Sequence, residues 1–169
     1  IFYSPHGFSF MAERGPDTSH KNFYIEKFLA KLPSEIICCS TSELNAARLL
    51  GGMSCCIENF IEATEIQHKV TSSTPDKEID VLTVGRIVDQ KNPELFSDLA
   101  RRLPDLRFCW VGGPVDAVGI DWPDNVLLTG WLPRHDVIAT YAKSRIYLAT
   151  SRYEGMPIVM LEAMAAGLP

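Results

Sequence analysis

The sequence is short of positive charge. Lys and Arg number 16 against 21 Asp and Glu, for a net charge of −5. Nucleic-acid phosphates need a cationic face, so DNA and RNA are excluded as partners, while one small anion held by a few local cations is not. No run reaches the roughly 18 apolar residues of a membrane span. No targeting segment is visible in the residues present, which open on Ile1. No Gly-x-Gly-x-x-Gly turn exists, which removes the dinucleotide fingerprint, and no Asp-x-Asp pair exists to hold Mg²⁺. The five cysteines, Cys38, Cys39, Cys55, Cys56 and Cys109, are odd in number and include two adjacent pairs. Structural zinc sites prefer pairs separated by two to four residues, and neighbours on a strand point to opposite faces. They read as reduced core thiols, which fits a cytosolic compartment. No metal and no cofactor are expected.

What is present is a globular composition, 46% hydrophobic and 22% charged over 169 residues, enough for one to two domains. Ile1–Ser4 reads as the end of a strand. Over Lys21–Leu32 the spacing predicts a helix that buries Tyr24, Ile25, Phe28, Leu29 and Leu32 on one face. Glu35–Cys39 reads as a short buried strand. Ser40 then caps a helix, and Glu43 completes a capping box. Ser54–Ile57 reads as another strand. The polar, aperiodic stretch after it places a linker at 73–78, between a first domain over 1–72 and a second over 79–169. From there strands and helices alternate: strands at Ile79–Val84, Leu106–Val111, Val126–Thr129 and Ile146–Thr150, helices at Pro93–Leu103, Arg134–Lys143 and Ile158–Ala166. Continuously apolar strands in such alternation mean an α/β fold with parallel sheets covered on both faces.

Ligands of open α/β sheets bind beyond the carboxyl ends of the strands. Those tips carry His6 and Gly7; Gly85, Arg86 and Lys91; Gly112 and Gly113; Gly130 and Trp131; and Ser151, Glu154 and Gly155. Glycine, cations and carboxylates together suit a ligand with phosphates and sugar hydroxyls. In Glu154-Gly-Met-Pro-Ile-Val-Met-Leu-Glu162, the second glutamate lies about one turn into a helix, and its side chain leans back toward the loop. Ionised carboxylates accept two hydrogen bonds from a vicinal diol. Free N–H groups at the helix start suit an anion. A glycosidase acid/base pair needs carboxyls on opposite sides of the scissile bond, which one loop-helix element does not offer. Arg86 and Lys91 flank one strand-to-helix loop, where a guanidinium fork and a point charge suit phosphate.

The segment Ser151 to Gly167 resembles the Glu-x7-Glu motif of retaining GT-B-fold glycosyltransferases, the glycosyl transferases group 1, in the branch that builds bacterial surface polysaccharides. Val84-Gly-Arg86 with Lys91 resembles their diphosphate clamp, Pro5-His6-Gly7-Phe8 their active-site turn, and Gly130-Trp131 their nucleobase loop. The resemblance implies two Rossmann-like, doubly wound domains. The family's glycine-rich loop and its last donor-domain strand fall outside the sequence, so both domains are expected to be incomplete and this piece alone inactive. Arg86 and Lys91 would neutralise the diphosphate, with Gly85 alongside. Glu162 would hold the ribose. Glu154 and the backbone of Gly155, Met156 and Pro157 would hold the donor sugar and its phosphate. His6 would sit near donor sugar and acceptor. The donor would be UDP- or GDP-linked, without metal, and the acceptor a glycan or lipid-linked glycan.

Two other classes of function remain open at this level: a nucleotide-sugar-binding homologue or fragment without turnover, and a sugar-nucleotide epimerase of the same fold. The expected place of work is the cytoplasm. A peripheral contact with the inner membrane face is drawn from Phe23, which falls on the outer side of the Lys21–Leu32 helix beside Lys27 and Lys31. The plainer alternative is a partly exposed phenylalanine among solvated lysines.

Overall fold

A computed structural model of the chain describes residues 2–11, 16–32, 35–72, 76–114 and 119–169. The chain forms two compact units. One comprises Ile1–Phe60 with Arg152–Pro157, the other Ile61–Ser151 with Ile158–Pro169. The division falls at Phe60/Ile61, earlier than the linker expected at 73–78, of which residues 73–75 lie outside the described residues. The reason is a helix over Ala63–Ser72, which packs on two later helices of the second unit and so belongs with them.

In the first unit, β1 (Phe2–Tyr3), β2 (Glu35–Cys38) and β3 (Ser54–Cys56) pair in parallel, in that order. Helices α1 (Pro16–Leu29) and α2 (Thr41–Leu50) complete it. Its core is Phe8, Ala30, Ile36, Cys38, Ala46, Ala47 and Leu50. The Ser40 hydroxyl accepts the Glu43 N–H at 3.2 Å, and the helix ends on Gly51 at φ 81, a left-handed stop that glycine takes without a Cβ clash.

The face of α1 is the reverse of the sequence expectation. Tyr24, Ile25, Phe28, Leu29 and Leu32 are exposed, while Phe23 packs against the core. Aromatic contacts decide it. Phe10 stacks on Phe8 at 5.2 Å and meets Phe23 edge-on at 5.3 Å. Glu26, one turn on, accepts from the Tyr3 hydroxyl at 3.2 Å. Lys27 lies 5.7 Å above the Phe23 ring. Phe23 is therefore not an exposed anchor, and the membrane contact drawn from it loses its basis. Among the described residues no helix is long and apolar enough to cross a membrane.

The second unit has a four-stranded parallel sheet in the order β6-β5-β4-β7, from β4 (Ile79–Val84), β5 (Phe108–Val111), β6 (Val126–Gly130) and β7 (Ser144–Tyr147). Alternation along β4 and β5 sends side chains to both faces. Val81, Phe108 and Trp110 meet Phe96 and Ala100 of α4 (Pro93–Arg102). Leu82, Val84, Cys109 and Val111 meet Tyr141 of α5 (Arg134–Ala142) and Ala163 of α6 (Ile158–Ala165). This is the doubly covered sheet that the apolar strands predict. The remaining helix, α3 (Ala63–Ser72), lies against α5 and α6. Phe96 is fully buried with Phe108 and Trp110 edge-on at 5.3 and 5.0 Å; truncating such a side chain costs about 3–5 kcal/mol. The last strand begins and ends earlier than the expected Ile146–Thr150, because its backbone pairs run from Ile79↔Ser144 to Leu82↔Tyr147.

Candidate functional site

In the second unit the sequence-predicted residues gather at the carboxyl ends of β4, β5 and β6. Gly85 leaves β4, and its N–H donates to the Val111 carbonyl at 2.8 Å. Its own carbonyl accepts from the Trp110 indole N–H at 2.9 Å. A Cβ on Gly112 would stand 2.1 Å from that Gly85 oxygen, so this crossing of two loop backbones admits no side chain. The Lys91 side chain folds back across Gly85, with Nζ 3.7 Å from where a Cβ would be. Thr150 fixes the loop from below by donating its hydroxyl to the Lys91 carbonyl at 2.7 Å. Arg86 is exposed one residue beyond Gly85. Gly130, at φ 69, ends β6 and accepts from the Gly112 N–H at 2.8 Å. Trp131 follows with 67% of its surface bare, an uncovered aromatic face at a strand tip.

Glu162 lies in α6, as expected, but only 4% exposed. One carboxylate oxygen accepts from the Arg134 guanidinium and the other from the Tyr141 hydroxyl at 3.2 Å. Arg134, also 3.5 Å from Glu65, is held in its charged form chiefly by the Glu162 hydrogen bond. Burial, and then the Glu162 charge, push the Tyr141 phenol upward, which keeps it a donor. Arg134 and Tyr141 are partners that the sequence reading missed. Their signal was faint: a cation and a phenol one helix away from a carboxylate that must be buried.

The other glutamate of the motif falls in the first unit. Glu154 is half-buried in the loop Arg152–Pro157, which groups with β1–β3 although the chain on either side of it belongs to the second unit. Pro157 stands just before α6. The loop is pinned by the Asn59 side-chain amide, which donates to the Met156 carbonyl at 2.7 Å. Close by, a Cβ on Gly7 would come within 4.0 Å of the Gly155 nitrogen. His6 and Gly7 both take left-handed backbone, φ 49 and φ 112, which is uncommon for a histidine and marks the turn as held by its surroundings.

What holds that turn is Glu43. Its carboxylate was expected to reach the Ser40 N–H of a capping box. Instead it accepts from the backbone N–H of Cys39 at 2.7 Å and from the N–H of Gly7, a residue 36 positions away. The local pattern correctly announced the helix start but not the distant partner. Of the cysteines, Cys38, Cys39 and Cys109 are buried and Cys55 and Cys56 half-buried, all as free thiols. Among the described residues no group of three His, Cys, Asp or Glu side chains is placed to hold a metal ion.

Over residues 64–169 the sequence fits the profile of the family described as "Glycosyl transferases group 1". The chain is 24% identical over 198 aligned residues to UDP-Gal:alpha-D-GlcNAc-diphosphoundecaprenol alpha-1,3-galactosyltransferase of Escherichia coli, covering 100% of this chain and 50% of that protein. It is 31% identical over 108 residues to sulfoquinovosyl transferase SQD2 of Arabidopsis thaliana, covering 62% of this chain and 21% of that protein. Sucrose-phosphate synthase of Thermosynechococcus elongatus matches with a TM-score of 0.78 at 16% identity, over 99% of this chain and 48% of that one. At that identity the likeness shows the fold, which agrees with the GT-B-like architecture expected. The chain thus spans half or less of the length of these proteins.

Proposed function

We propose, from the premise that this chain belongs to the glycosyl transferases group 1, that it serves retaining transfer of a hexosyl group from a UDP- or GDP-linked sugar. The acceptor in this reading is a glycan or lipid-linked glycan of cell-surface polysaccharide assembly, and the reaction runs in the cytoplasm. The observation that carries it is the Lys91 side chain lying across Gly85 at the carboxyl end of β4, beside Arg86. That loop is tied to the β5 and β6 tips by backbone hydrogen bonds. A cation held over such a loop, with a second one beside it, is what a diphosphate leaving group needs.

The roles follow from chemistry. As the glycosidic bond breaks, negative charge grows on the diphosphate. Groups that bind this charge more strongly than the ground-state donor accelerate the step. Lys91 is placed before the reaction and needs no reorganisation, and Arg86 adds its charge from the same loop. Trp131 offers an aromatic face to the base, next to Gly130. Glu162 takes the ribose diol; its two present donors are side chains, so a hydroxyl can replace or join them. In the first unit, Glu154 and the backbone of Gly155, Met156 and Pro157 hold the sugar and its phosphate, and His6 stands at the sugar and acceptor. No metal takes part in this reading.

Incubating the whole protein, rather than these 169 residues alone, with UDP-glucose, UDP-galactose, UDP-N-acetylglucosamine or GDP-mannose and a polyprenyl-diphosphate-linked N-acetylglucosamine tests it. An α-linked product, formed equally with and without EDTA, is the expected result. A β-linked product, or transfer only with added metal, would sink the retaining, metal-free reading.

A further inference from the structure

Glu43 has no place among the donor contacts just assigned, yet its carboxylate is buried and engaged through both oxygens. It is 1% exposed, and both oxygens accept backbone N–H groups, from Gly7 and Cys39. The Cys39 sulfur adjoins the same carboxylate where both face Gly155. Gly155 fills the remaining space. A Cβ there would meet the Cys39 sulfur at 2.7 Å and Glu43 Oε1 at 2.9 Å. A continuous line of contacts therefore runs from the His6-Gly7 turn through Glu43 and Cys39 to the Gly155-Met156 backbone.

We propose that Glu43 is a positioning residue for the donor sugar: it holds the His6-Gly7 turn and the loop Glu154–Pro157 in one fixed geometry. The proposal rests on the sugar-binding role given above to those two segments. Three features favour it over a simple helix cap. The carboxylate leaves the Ser40 N–H, its local capping partner, for a distant one. Its partners lie in the segments assigned to the sugar or adjoin them. And it secures a histidine at φ 49, a backbone conformation that persists only where the surroundings over-determine it. Both oxygens are occupied by buried donors, so Glu43 is not a nucleophile. Burial, then the Glu43 hydrogen bond and charge, push the Cys39 thiol up to about 11.

The test separates the nucleotide from the sugar. Calorimetry measures Kd for UDP and GDP alone and for UDP-glucose, UDP-galactose, UDP-N-acetylglucosamine and GDP-mannose. The tightest sugar nucleotide for the unaltered protein is then followed in Glu43→Gln and Glu43→Asp. Glutamine keeps the size but turns one end into a donor facing an N–H. Aspartate keeps the charge but is too short to span both. The loop also holds the donor phosphate, so we expect nucleotide Kd to rise slightly, by no more than about twofold, and sugar-nucleotide Kd to rise far more, at least about fivefold, the worth of one misplaced hydrogen bond. The aspartate variant should fall between. Unchanged sugar-nucleotide affinity in a folded variant overturns the proposal. So does loss of nucleotide and sugar nucleotide together, or failure of both variants to fold, since each makes Glu43 a general staple. If the unaltered protein binds UDP or GDP but no sugar nucleotide more weakly or tightly, the donor reading itself falls, and this inference with it.

Discussion

Two buried carboxylates, one in each compact unit, are held in opposite ways. Glu43 is gripped by backbone N–H groups of Gly7 and Cys39, which cannot move without the chain. Glu162 is gripped by side chains, the Arg134 guanidinium and the Tyr141 hydroxyl. The Arg134 side chain is 54% exposed, so water can replace what it gives up, and it can turn away at small cost. The Tyr141 hydroxyl also has the Val159 carbonyl at 3.1 Å to fall back on. A carboxylate with backbone partners is committed to architecture; one with side-chain partners that have other recourse is free to exchange them. On the proposed function, the contrast separates a residue that shapes a site from one that takes part in it.

The largest effect that would sharpen this contrast lies with the cations of the second unit. Lys91→Ala or Arg86→Ala should lower kcat by roughly 10²–10³ at saturating donor, the range for losing one preorganised charge-stabilising group. Lys91→Arg should not fully restore it, because the fork and the point charge place their donors differently. A Lys91→Ala enzyme with kcat within about threefold of normal would remove Lys91 from the diphosphate role.

Next comes the direct comparison of the two carboxylates. Glu43→Ala strands two backbone N–H groups and should cost about 2–6 kcal/mol in urea unfolding, at about 1–3 per unsatisfied donor. Glu162→Ala should cost about 1 kcal/mol, since both of its partners have other recourse. It should instead raise donor KM more than it lowers kcat, because ribose is held alike in ground and transition states. Equal destabilisation by the two substitutions would erase the distinction. A large kcat loss at unchanged KM would mean that Glu162 does not hold the ribose.

The smallest effect concerns Cys39, whose thiol stands near 11 first through burial and then through Glu43. Iodoacetamide pulses at pH 8, read by mass spectrometry, should leave Cys39 nearly unmodified. Glu43→Gln removes the lesser cause, so labelling should quicken by roughly severalfold, as the thiolate fraction follows the pKa. Identical rates would mean that the carboxylate does not act on the sulfur.

The strand-helix alternation and the strand tips were legible because each depends on short-range pattern: continuously apolar runs in β4 and β5 and a glycine at each turn. The α1 face was not. Apolar side chains occur all round that helix, and Phe10, eleven or more residues away from most of it, selects Phe23 over Phe28. Glu43 was misread for the same reason. Ser40 and Glu43 satisfy a local rule completely, so nothing in the sequence pointed to Gly7. The engagement of Glu162 by Arg134 and Tyr141 is likewise a matter of which helix faces which.

The lacing of the β4, β5 and β6 tips has a consequence for time as well as shape. Loop amides usually trade their hydrogens with water almost freely. Here the amides of Gly85, Ile87 and Gly112 are bonded to Val111, Gly113 and Gly130 at 2.8, 3.0 and 2.8 Å. Deuterium should therefore enter them at rates closer to those of the strands than of the surface. A cradle that slow to breathe is a mould set before its casting arrives. The ordering that a looser loop would undergo on meeting a ligand has already happened during folding, and the affinity of the encounter gains by that much.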